Sequence, residues 1–165
     1  MNKSSDELAN TLCTLASTEL FLSKGVLSCI QLITNDLEKG IVENSDVLYE
    51  KQKAYMDEID KVQKEYNCAL GEIDNQTLKS ALSLYTFSFA TDFPEFSQVF
   101  SVLSELRETV DEITELNKYA IEQTNKLSLE CMEKIKSLQK QRTLSSNFQT
   151  HQDLKAGSLF NYTEK

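Results

Sequence analysis

Between Phe96 and about Gln141, apolar residues return with alternating gaps built from three and four: Val99, Leu103, Leu106, Val110, Ile113, Ala120, Leu127, Cys131 and Leu138. That spacing keeps one narrow stripe on one side of an α-helix, so it predicts a single long helix with a coiled-coil-like seam. About forty-five residues in such a helix span roughly 65 Å. Polar Asn117 and Thr124 fall in the seam and would set its register at some cost in stability.

A helix of that length needs companions, and the rest of the chain is suited to supply them. Only four Gly and one Pro occur in 165 residues, and Trp is absent. Strands and hairpins need turn chemistry that this sequence barely has. The expected fold is all-α: a long antiparallel helical hairpin or bundle with coiled-coil-like seams, in one domain over residues 1–141, followed by a flexible tail over 142–165.

Along the chain, Ser5 or Asp6 can cap a first helix over about Asp6 to Lys39. Its apolar stripe is wide (Leu8, Leu12, Leu15, Leu20, Val26, Ile30, Ile33 and Leu37 among others), which suits more than one neighbour. Gly25 permits either a close helix approach or a bend. Lys39-Gly40 reads as a helix end, with one continuous bent helix as the alternative. A second helix over about Asp46 to Glu72 carries Tyr55, Ile59, Val62, Tyr66, Ala69 and Ile73 at the same spacing, surrounded by mixed charge. Gly71, Asp74 and Asn75 mark another break, and Thr77 to Phe89 reads as a third helix. Ala90 to Glu95 is a loop, because Pro94 disfavours helix before it and suits the first turn after it. Phe87, Phe89, Phe93, Phe96 and Phe100 cluster around that loop, either as a core plug or as a partner anchor.

Several kinds of chemistry are excluded by what is missing. Histidine occurs once, at His151 in the expected tail, so a base paired with a nucleophile is hard to assemble. The glycines are scattered and form no phosphate loop. Glu-x-x-His motifs for a bundle metal site do not occur. Cys13, Cys29, Cys68 and Cys131 lack zinc or redox spacing and, each at or beside an apolar stripe, read as buried free thiols in a reducing cytoplasm. The sequence therefore predicts no enzyme, no cofactor and no small-molecule substrate. Neither a signal peptide nor an unbroken apolar run of about 18 to 20 residues is evident, so the expected location is cytoplasmic.

A net charge of −9 argues against nucleic acid as a partner. The charge is uneven: ten acids and three bases lie from Asp92 to Glu133, against six bases and two acids from Lys134 to Lys165. Lys134, Lys136, Lys140 and Arg142 are the one basic cluster and a candidate contact for anionic lipid.

The stretch LSLYTFSFATDFPEFSQVFSVLSELRETVDEITELNKYAIEQTNKLSLECMEKI resembles the join between the first and second long helices of BAR domains, those of sorting nexins and of BAR-containing Arf GTPase-activating proteins. The matching parts are Tyr66 to Phe89, Ala90 to Glu95, and Phe96 to Lys140. The resemblance implies an elongated dimer on a membrane surface in trafficking, although little chain follows Gln141 to supply a further long helix.

The functional expectation is a non-enzymatic scaffold that binds a protein partner or itself, a homodimer being favoured. The expected seam comprises Tyr55, Ile59, Val62, Tyr66, Val99, Leu103, Leu106, Val110, Ile113 and Leu127. The alternative is a small acidic secretion or assembly chaperone that holds the helix of a client.

Overall fold

The computed structural model describes residues 4–84 and 91–160, with side chains as far as Leu144. All regular structure among these residues is helical: α1 (Ser5–Glu38), α2 (Ser45–Gly71), α3 (Gln76–Ser83) and α4 (Ser97–Phe160), with a 3-10 turn over Pro94–Phe96. The chain divides into two compact units, Met1–Gln123 and Thr124–Lys165.

Local chemistry explains the helix ends. Ser4 caps α1, one residue before the expected position. Its hydroxyl accepts from the Glu7 amide, and the Ser4 amide donates to the Glu7 carboxylate at 3.2 Å. This reciprocal Ser-x-x-Glu box satisfies two orphan donors at once. At the other end Gly40 adopts φ +69°. The Gly40 amide donates to the Leu37 carbonyl and the Ile41 amide to the Asp36 carbonyl, at 3.0 and 2.8 Å, a Schellman closure that ends α1 and excludes one continuous bent helix. The Asn75 side chain accepts from the Thr77 and Leu78 amides and so starts α3 as a separate helix. What resembles one long helix from Tyr66 to Phe89 is therefore two helices, α2 and the short α3; Phe87 and Phe89 lie outside the described residues. Helix α4 runs through Gln141 to Phe160 without a break, so the helix is longer than its seam suggested.

Within the Met1–Gln123 unit, α1 is covered on two sides. Gln63 of α2 donates to Glu19 of α1 at 2.7 Å, and Tyr55 of α2 lies over Gly25 of α1, so the two helices run antiparallel. With α4 the pattern differs. Lys24 meets Glu105, Gln31 meets Glu112 and Glu38 meets Tyr119, each pair 81 residues apart in sequence. Steps of seven on both helices with a constant offset mean parallel packing in heptad register. The unit is thus an up-down-up bundle of α1, α2 and the first part of α4.

Its larger core cluster joins Leu12, Tyr66, Leu70, Leu82, Phe96, Val99, Phe100 and Leu103 from all four helices and the 3-10 turn. Phe93 packs against it, so the three described phenylalanines of the aromatic cluster plug this end of the bundle. A second cluster builds on Val26, Ile30 and Ile59, with Tyr55, Ile113 and Leu116 against it. Full burial of a side chain such as Phe100 or Ile30 contributes about 1.5–3 kcal/mol.

One stretch of α1 is apolar enough, and the helix long enough, to cross a membrane by composition. In the bundle part of that apolarity faces α2 and α4, where Leu12, Val26, Ile30 and Ile33 are buried, while Phe21 and Leu32 are exposed.

The Gly25 contact gives a sharp test. A Cβ built there would lie 2.8 Å from the Tyr55 ring. Gly25→Ala should therefore destabilise the protein by about 1 kcal/mol through overpacking. In a Tyr55→Ala background the same change should stabilise by up to about 1 kcal/mol, because Ala is the better helix former. Urea unfolding of the four proteins checks this sign reversal; equal effects in both backgrounds would contradict the close approach.

Candidate interaction surface

The expected partner seam is in large part closed inside the chain. Ile59, Tyr66, Val99, Leu103 and Leu106 are buried, and Tyr55, Val62 and Ile113 are half-buried. These residues cover α1 and one another, which leaves little of that seam for a partner. Val110 is 45% exposed, and its place is taken by Thr109, which is buried. Both residues fit a three-four spacing between Leu106 and Ile113. The Thr109 hydroxyl donates to the Glu105 carbonyl at 2.9 Å, which satisfies it locally and lets its methyl group pack.

Glu19 was not legible as a seam residue, yet it is buried. The signal was present: steps of four and three from Leu12 through Ala16 lead to Glu19 and Ser23 before reaching Val26 and Ile30. Burial raises the Glu19 carboxyl above its ordinary range, and the hydrogen bond from Gln63 offsets part of that rise. At the opposite end of the bundle, the Tyr119 hydroxyl donates to the exposed Glu38 carboxylate at 3.0 Å.

Features that could carry chemistry are dispersed. A cleft of about 710 Å³ opens beside Ser5, Glu72, Asp74, Asn75, Phe93 and Glu95, with no histidine, cysteine or cation in its described lining. Among the described residues, no three His, Cys, Asp or Glu side chains gather as a metal site. All four cysteines are free, but the expected burial holds only for Cys29; Cys13 is half-buried, and Cys68 and Cys131 are exposed because they lie off the packed faces of α2 and α4. The side chain of His151 lies outside the described residues.

The Thr124–Lys165 unit shows a different surface. From Thr124 to Leu144 every side chain of α4 is exposed except the half-buried Leu127. Met132, Ile135 and Leu138 are between 54% and 59% exposed, and Leu129 and Leu144 are open as well. At 100° per residue, Leu127, Cys131, Met132, Ile135 and Leu138 share an arc of about 140°, the width of a helix-packing face. Lys134, Lys136, Lys140 and Arg142 are exposed within the same stretch. This is helix surface patterned for burial, with no described side chain over it.

Comparison with protein-family profiles, with characterised proteins and with solved structures gives no match to this chain.

The buried carboxylate predicts a pH effect. A raised carboxyl pKa means that the folded state holds the proton more tightly than the unfolded state. The stability associated with Glu19 is thus fully present below the unfolded value and is lost as pH rises through the folded one. Glu19→Gln should raise the melting temperature at pH 7, and the advantage should vanish below about pH 4, where both states are protonated. Thermal scans at the two pH values check it; a Gln variant less stable at pH 7 would show that the charge is favourable.

Proposed function

We propose that the chain is a non-enzymatic helical scaffold that associates through the open face of α4, with a second copy as its partner. The observation that carries this reading is the exposure of Met132, Ile135 and Leu138 on one face of a helix, with no side chain among the described residues packed over it. A helix of about twenty residues gains most of its stability from packing, and an apolar stripe left in water is a standing drive to associate. The bundle around α1 does not need this face, since its core closes without it.

The run Lys134 to Arg142 supports a second reading. Four exposed cations in nine residues, with no acid among them, suit an anionic surface such as the lipid that the BAR-like resemblance implies. Binding to phosphatidylserine vesicles at low salt and release at high salt would favour it, because exposed charges are screened within about 10 Å at 0.1 M salt.

The self-association reading is tested by light-scattering mass across about 1 to 200 µM, the range expected for a seam of roughly three heptads. The wild-type chain should pass from monomer to dimer. Leu138→Glu should stay monomeric with an unchanged melting temperature, because Leu138 is 59% exposed and contributes little to the bundle. A wild-type monomer at every concentration would overturn the reading and leave the same face for the helix of a client protein.

A further inference from the structure

We propose that the first half of α2, residues 45–58, is a strap that lifts off α1 while the rest of the bundle stays folded. Burial divides α2 at this point. Ile59, Tyr66, Ala69 and Leu70 in its second half are buried, whereas the first half buries no residue fully. There Ser45, Leu48, Gln52 and Tyr55 are half-buried and the remaining positions are exposed. The apolar area a segment buries is what holds it down, so the first half is held the less firmly.

The core is divided at the same level. The larger cluster, with Leu12, Tyr66 and Phe100, and the smaller one around Val26, Ile30 and Ile59 share no residue. Along α2 the change from one to the other passes through Gln63, which donates to buried Glu19 of α1. Buried Ser23 lies one turn beyond Glu19, before Val26. The larger cluster therefore keeps its own packing when the smaller one is disturbed.

Polar fastenings are missing from the same stretch. Asn44 precedes α2 without a side-chain cap, whereas Ser4 and Asn75 cap α1 and α3. Ser45 Oγ and Gln52 Oε1 are buried and have no hydrogen-bond partner among the described residues. Lifting the strap gives both oxygens water and removes that cost. Helix α1 stays in place, because its contacts with α4 do not involve the strap. A helix as short as the strap is marginal without packing, so it frays as it lifts.

Cys29 reports the opening. It is 2% exposed and lies one turn beyond Gly25, on the side of α1 that Tyr55 of the strap covers. One protein carries Cys13→Ser, Cys68→Ser and Cys131→Ser and keeps Cys29. The other adds Cys29→Ala and Ala16→Cys, which puts its thiol at a fully buried α1 position in the larger cluster. Both are labelled with excess iodoacetamide in dilute solution. Cys29 should label at least tenfold faster, at a rate that low urea hardly changes, while the Ala16→Cys thiol follows global unfolding. Equal rates with the same urea dependence would overturn the strap. Should the Ala16→Cys protein fail to fold, amide exchange of the wild-type chain decides. Amides of residues 48–58 should exchange at least tenfold faster than those of residues 62–70 in the same helix, and equal protection along α2 would overturn the inference.

Discussion

Helix α1 has to be covered on two sides at once. Its buried positions run Leu8, Leu12, Ala16, Glu19, Ser23, Val26, Ile30, Ile33 and Leu37, and further buried residues, among them Leu20 and Cys29, widen that face. One partner helix covers only part of so wide a stripe, and two cover it all. Helix α2 supplies the antiparallel cover and the first part of α4 the parallel one. The tight closure at Gly40 lets α2 turn back, and the capped α3 with the Pro94 turn lets α4 start beside the beginning of α1. Each connection follows from the need to close both sides of one helix.

The polar contacts between α1 and α4 add register more than stability. Lys24 and Glu105 are each 53% exposed, so their ion pair contributes little on its own. Repeated seven residues on by Gln31 with Glu112 and again by Glu38 with Tyr119, the contacts mark one alignment of the two helices. Tight packing marks the α1–α2 face instead, where Gly25 admits the Tyr55 ring.

Much of this was legible in the sequence because helical periodicity survives in the placement of Leu, Ile and Val. The all-helical class, a break near Asn75 and the demand of α1 for more than one neighbour could be read in advance, whereas at Gly40 the sequence left a helix end and a bend as alternatives. Periodicity does not say which seam is closed within the chain and which is left open. Val99 to Leu106 and Leu127 to Leu138 look alike as strings, yet the first is buried against α1 and α2 and most of the second is open. Thr109 and Glu19 escaped notice because a spacing rule fed only with apolar residues skips a polar residue that satisfies its hydrogen bonds locally or across the helix pair. The end of α4 was set too early, at Gln141, because the stripe fades there while helix-compatible residues continue to Phe160.

The bundle around α1 is closed while the face of α4 from Leu127 to Leu138 is open, and amide hydrogen exchange at two protein concentrations tests that separation most directly. Amides of Leu12, Ile30, Tyr66 and Leu103 should be strongly protected, to the same degree at low and high concentration, because their burial is complete within one chain. Amides from Thr124 to Leu144 should exchange quickly in dilute solution and slow markedly as concentration rises through the dimerisation range. Equal and strong protection of both regions in dilute solution would contradict the account, because the distal part of α4 would then be stable without a partner.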